Sequence, residues 1–279
     1  MINAIASFFG MIIRIIYDLV NQNYFISIII FTFLTKLILF PLSWMQIKST
    51  ENMQKIAPMA KKIQDKYKND KEKQAEELTK LYSENKINPL GGCLPILIQF
   101  PIIIAMFAIV RQPLTYITQT PFEEIKTYTQ EILQKDDVSV NEVKSNELTV
   151  AKEKNLIDMN VGMGINMGDV PSSVFSKDLE KRANPISIVI PILTVVFSII
   201  QSKITQKNST MTDEQKEMQK SMNLTLPLIS GMFAYTMPLA LGIYWLFGNI
   251  LQILQQLFIS AKIKNDNKKG VLSLDKGGK

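Results

Sequence analysis

The chain has 279 residues, with 31 lysines and arginines against 25 aspartates and glutamates, no histidine and a single cysteine, Cys93. That inventory excludes an internal disulfide framework, a cysteine-rich metal site, histidine-based catalytic triads and the common zinc centres. Apolar residues make up 47% of the sequence, yet mean hydropathy is only +0.10, so apolar and charged blocks must alternate.

The first block, residues 1–22, places Ile5, Phe8, Phe9, Ile12, Ile13, Ile16 and Leu19 at helical spacing, interrupted by Arg14 and Asp18. The pattern predicts an amphipathic helix lying at a membrane interface. A transmembrane helix here would bury both charges, and a secretory leader would put basic residues ahead of the apolar stretch.

A first span is expected over 23–46. Tyr24 to Met45 would be roughly 33 Å long as a helix, enough to cross a hydrocarbon core of about 30 Å. Its one charge is Lys36. A lysine at mid-depth costs on the order of 2.5 to 3.5 kcal/mol, so it is kept either by snorkelling to the interface or because it faces water, a partner or a substrate. Lys36 lies roughly 13 Å from Met45 along the axis, more than one lysine stem spans comfortably, which favours function.

Residues 47–92 carry two amphipathic stripes, Met53, Ile56, Met59, Ile63 and Tyr67, then Ala75, Leu78, Leu81 and Tyr82. They predict a helical hairpin, with Asn69 and Glu72 at capping-box spacing to start its second helix. Further spans are expected at 93–111, 185–203, 222–237 and 238–260. Pro238 divides the last two into a hairpin. Between them lie a long segment, 112–184, and a loop, 204–221; a basic tail follows at 261–279. Thr120-Pro-Phe-Glu123 could cap a helix in the long segment. Gly162-Met-Gly-Ile-Asn-Met-Gly168 superficially matches a dinucleotide loop, but Met167 replaces the third glycine and no βαβ context surrounds it. We expect a flexible loop. Asn208-Ser-Thr210 fits a glycosylation sequon that we discount, and Cys93 is assigned to packing.

Charge sets the sidedness. Residues 47–92 hold ten lysines against seven acids, whereas 112–184 holds eight basic residues against twelve acids. The positive-inside tendency therefore places the first segment and the tail in the cytoplasm, and the long segment and the amino terminus outside. Gln99, Gln201 and Asn249 are polar groups on the spans, each needing a partner or water. They are candidates for a hydrophilic groove or for interhelical bonds.

The stretch Asn88-Pro-Leu-Gly-Gly-Cys-Leu-Pro-Ile-Leu-Ile-Gln-Phe-Pro101 is joined by Thr32-Phe-Leu-Thr-Lys36-Leu-Ile-Leu-Phe-Pro41, Met53-Gln-Lys-Ile-Ala-Pro58, Ile200-Gln-Ser-Lys203, Tyr244-Trp-Leu-Phe-Gly-Asn249 and Gln255-Gln256. In this order they resemble the YidC/Oxa/Alb family of membrane protein insertases over nearly all of the membrane part. The resemblance implies an all-α membrane protein with five transmembrane helices around a groove open to cytosol and lipid. It implies that Lys36, where relatives carry arginine, solvates there, and that Thr32 and Trp245 line the groove. Lysine keeps the charge but loses the bidentate fork.

The implied activity is insertion and folding of nascent membrane proteins, with no cofactor, no enzymatic step and no nucleotide hydrolysis. Expected partners are nascent membrane proteins, the ribosome, the signal recognition particle receptor, the Sec translocon and the lipid bilayer. The absence of a transit-like leader points to a bacterial plasma membrane. Two other classes fit a mid-membrane lysine: a small-solute or ion transporter, and an assembly scaffold that does not insert. A transporter often shows repeated halves, which these spans lack. The acidic stretch around Pro121 to Lys154 has no clear counterpart in simple family members.

Overall fold

The computed structural model describes residues 2–85, 94–178, 182–206 and 213–276. Cys93, the start of the Asn88 motif and the Asn208 sequon lie outside them. The described chain is predominantly helical, with one two-stranded sheet.

Helix α1, Ile2–Leu19, buries Ala6, Ile13, Ile16 and Tyr17 against α2 (Tyr24–Ile38) and α5 (Leu94–Arg111). Phe8, Met11, Ile15 and Leu19 remain exposed, three or four residues apart, and give the helix an unpartnered apolar face. Asn23 caps α2, its side chain accepting from the Ile26 amide at 2.9 Å.

The expected first span is not one straight helix. α2 stops at Ile38, and α3, Phe40–Lys66, leaves at 58° to it. The cause is local: Pro41, at the start of α3, has no amide to donate back along α2, and its ring opposes a continuous helix. α3 then runs out of the apolar region into the hairpin.

The hairpin partner is α4, Lys71–Glu84. Ile56, Ala60 and Leu81 form its small core with Ile63, Leu78 and Tyr82 against them, so the two stripes meet as expected, although Met59 turns outward. The cap differs from the expected Asn69–Glu72 box. Asp70 takes that position, accepting from the Lys73 amide at 3.0 Å, which starts the helix one residue later. The ammonium groups of Lys66 and Lys73 sit 5.0 and 5.7 Å from the Tyr67 ring centre at the bend.

After α5 the chain makes a π-helical turn over Leu114–Thr118, then α6 (Phe122–Leu133) and α7 (Val140–Glu153), which pack on each other. α6 begins at the expected place, but Thr120 makes no cap; its hydroxyl lies 2.8 Å from that of Thr118. α7 was not anticipated, although Ser139 and Glu142 form a capping box visible in the sequence.

The segment expected as a flexible loop is a hairpin: β1, Asn160–Gly162, pairs antiparallel with β2, Ile165–Asn166. Its turn needs positive φ at Gly162 (96°), Met163 (52°) and Gly164 (72°), a run that glycine on both sides makes accessible. Met159 and Met167 are buried beneath it.

The last three helices are α8 (Val189–Gln206), α9 (Asp213–Thr236) and α10 (Leu239–Lys276). Gly231 lets α9 approach α8 closely, since a Cβ there would fall 2.2 Å from Val195 Cγ2. Pro238 separates α9 from α10 as expected. The orphan amides at the start of α10 are satisfied by the segment that follows the β1–β2 hairpin: Leu239 donates to the Asp169 carbonyl at 2.8 Å and Ala240 to that of Met167 at 2.9 Å.

Among the described residues, Pro185–Thr205 and Leu239–Asp266 are long and apolar enough to cross a membrane, and the bent α2–α3 pair makes a third candidate. Gln99–Arg111 is apolar but shorter.

Candidate functional site

Lys36 is half-buried on the last turn of α2, where the helix breaks. Its ammonium donates to Gln252 Oε1 of α10 at 2.9 Å. Among the described residues no carboxylate pairs with it. Lysine has three donors and no acceptor, so one neutral amide oxygen leaves most of its hydrogen-bonding capacity for water or an incoming acceptor.

The surrounding face of α10 follows from helical spacing. Tyr244, Gly248, Gln252 and Gln255 fall at i, i+4, i+8 and i+11, and they turn toward α2 and α5. Tyr244 is buried with its ring centre 6.5 Å from that of Phe31, and its hydroxyl accepts from Gln99 Nε2 at 3.0 Å. A Cβ at Gly248 would stand 4.0 Å from Lys36 Cε, an ordinary contact, which places Gly248 beside the lysine stem. Gln255 Nε2 donates to the Lys36 carbonyl at 2.9 Å, and its Oε1 is buried without a partner among the described residues.

The six sequence candidates do not converge on one point. Lys36 meets Gln252 and Gln255, neither of which the sequence reading singled out as a site residue. Gln99 reaches the same face through Tyr244. Thr32 is buried one turn before Lys36, but its hydroxyl donates to the Ile28 carbonyl of its own helix at 2.6 Å. Trp245 turns about 100° away from Tyr244 and stacks on Phe233 of α9, with ring centres 6.0 Å apart and planes 18° from parallel. Asn249 faces α8, where its Nδ2 donates to Ser198 Oγ at 2.8 Å. Gln201 is half-buried one turn further along α8. The signal for Gln252 was present: three glutamines at 252, 255 and 256 interrupt an apolar helix, and each must be satisfied there.

A second polar feature lies between α5 and α8, in the long segment 112–184. Glu147 of α7 is 1% exposed and accepts from both the amide (2.6 Å) and the hydroxyl (2.8 Å) of Thr115. Burial pushes its carboxyl up to about 7, against the opposing effect of the Thr115 bonds. It borders a cavity of about 470 Å³ between α1, the π-helical turn and α7, with Gln112, Tyr116, Gln119 and Lys144 in its wall. Nearby, Lys135 and the Ser139 cap hold the Glu142 carboxyl down to about 2. Lys152 pairs with Asp169, tying α7 to the loop that caps α10. Among the described residues no cluster of side chains is placed to hold a metal ion.

The fold and the Lys36 site define a class: a helical membrane protein that keeps a cation among its apolar helices. The chain belongs to the 60Kd inner membrane protein family, which it matches over residues 15–268. It is similar to proteins named membrane protein insertase YidC. The one from Chlorobaculum parvum is 34% identical over 248 residues, covering 88% of this chain and 34% of that protein. That of Prosthecochloris aestuarii is 31% identical over 261 residues, 92% of this chain and 37% of the relative. That of Oceanobacillus iheyensis is 31% identical over 248 residues, 86% of this chain and 75% of the relative. The chain thus spans about a third of the length of the first two and three quarters of the third.

Proposed function

We propose that the chain is a membrane protein insertase. Lys36 attracts the acidic, polar flank of a client entering from the cytoplasm, while the client's apolar helix moves along α8 and α10 into lipid. The observation that carries this reading is the ammonium held between α2 and α10 by a neutral amide rather than by a carboxylate. A hydrogen bond from a charged donor contributes roughly 1.5 to 3 kcal/mol, comparable with the cost of placing lysine at mid-depth. A client carboxylate at about 4 Å and an effective dielectric near 20 attracts with about 4 kcal/mol, so it competes with the resting partner. A structural lysine would be paired off and indifferent to such a competitor.

The apolar path is supported by the exposed faces of α8 (Ile192, Val196, Ile200) and α10 (Leu254, Leu257, Phe258). Water around Lys36 lowers the barrier, because each unsatisfied backbone group drawn through hydrocarbon costs several kcal/mol. Client partitioning into lipid, with the membrane potential acting on acidic segments, then drives the step without nucleotide hydrolysis.

In this reading five spans enclose a groove open inward and sideways, Thr32, Gln99, Gln201, Trp245 and Asn249 belong to its walls, α1 lies at the outer interface, and the α3–α4 hairpin is cytoplasmic. The host is a bacterial plasma membrane, with the amino terminus outside and the tail inside. Ribosome, signal recognition particle receptor and Sec translocon meet it on the cytoplasmic side.

The test is insertion of acid-bearing clients by reconstituted protein. Lys36→Ala should reduce it roughly tenfold, equivalent to about 1.4 kcal/mol of lost attraction, and Lys36→Arg should retain it. Equal insertion by all three forms would remove the charge role.

A further inference from the structure

The amide that holds Lys36 belongs to a pair whose two members do different work. In a continuous helix the Lys36 carbonyl would accept from the Phe40 amide. Here α2 ends at Ile38, and Gln255 Nε2 takes that carbonyl from α10 instead, at 2.9 Å. The break in the first span is therefore fastened from the last helix at the residue that carries the charge. One turn back along α10, Gln252 Oε1 takes the ammonium of the same lysine. Backbone and side chain of Lys36 are both read by one face of α10.

The two bonds differ in what could replace them. The carbonyl bond lies in the helix packing, and the other end of Gln255, Oε1, is buried. The ammonium bond joins a flexible stem to a half-buried side chain, and an anionic acceptor is a stronger partner for that ammonium than an amide oxygen. We propose that Gln252 is a specificity-determining residue of this site: its Oε1 is the resting acceptor that a client carboxylate must displace from Lys36, while Gln255 positions the broken span so that the ammonium is presented. The inference rests on the insertase reading and names its client class, membrane segments whose polar flank carries carboxylates. A weaker resting acceptor lowers the threshold for such clients, and an anionic one raises it.

Two substitutions at position 252 should act in opposite directions. The reconstituted full chain would be given two clients that differ only in carrying aspartates or asparagines in the translocated flank, and the ratio of their insertion would be read. Gln252→Glu supplies a permanent internal competitor and should lower the acidic-to-neutral ratio roughly fivefold; Gln252→Ala removes the resting acceptor and should raise it about twofold to threefold. A helix-packing role for Gln252 would alter total insertion of both clients and leave the ratio in place. Unchanged ratios, or shifts in the same direction, would overturn the proposal. Lys36→Ala in the same assay separates the two levels. If it leaves the ratio intact, the insertase charge role fails; if it abolishes the preference while both position-252 variants leave it intact, only the role of Gln252 fails.

Discussion

A buried acid on α7 and a half-buried cation on α2 illustrate how single residues divide between stability and function. Glu147 sits at 1% exposure with Thr115 as its partner, and its carboxyl is raised from 4.5 to about 7 by burial. The cavity it borders is also lined by Thr115 and Tyr116 of the π-helical turn, Gln112 just after α5, Ser7 of α1 and Lys144 of its own helix. A raised acid holds its proton more tightly when α7 is docked, so docking strength is full below pH 4.5 and falls as pH rises through about 7. The loss across that window is on the order of 3 kcal/mol. Glu142 has the opposite sign: its depressed carboxyl favours the capped α7 above pH 4.5, and that contribution is lost only as pH falls toward about 2. Hydrogen-exchange protection factors of α7 amides should therefore be higher at pH 5 than at pH 8, and Glu147→Gln should flatten the difference. A slope that persists in the variant would assign the effect elsewhere.

At the scale of elements, the α3–α4 hairpin packs through its own small core of Ile56, Ala60 and Leu81, separate from the main core. Deleting residues 52–85 should then leave the remaining helices folded while reducing client insertion severalfold, because the proposed cytoplasmic hairpin is lost and the main core is not. Normal insertion by the truncated protein would reduce the hairpin to a connector. Periodicity made this hairpin legible, since both its apolar stripes are continuous. The bend after α2 was less so. Pro41 was visible, but a proline near a helix start is compatible with either a bend or a fresh beginning, so its presence alone does not fix the 58° angle. The β1–β2 hairpin was missed because its turn is made by three consecutive positive-φ residues, and strand periodicity over so few residues cannot signal it.

Across the whole molecule, the two ends of the last hairpin are handled differently. At its start, α10 is capped by backbone carbonyls of Met167 and Asp169, and the Lys152–Asp169 pair fastens that loop to α7. Further along α10, α2 and α10 meet through amide and ammonium bonds at Lys36, Gln252 and Gln255. Lys36 was legible from the sequence because a charge inside an apolar block is costly wherever it points. Its partners were not, because which of several polar residues on α10 turns toward α2 depends on the rotation of one helix against another. That rotation also sends Trp245 to Phe233 and Asn249 to Ser198.

If client chains pass the cation between α2 and α10, photo-crosslinking from position 248, beside the Lys36 stem, should catch a ribosome-stalled client during insertion. Crosslinks should form to the client's polar flank, with a lower yield for acid-bearing flanks in Lys36→Ala, and should be lost once the chain is released. Efficient insertion with no crosslink at that position would contradict it.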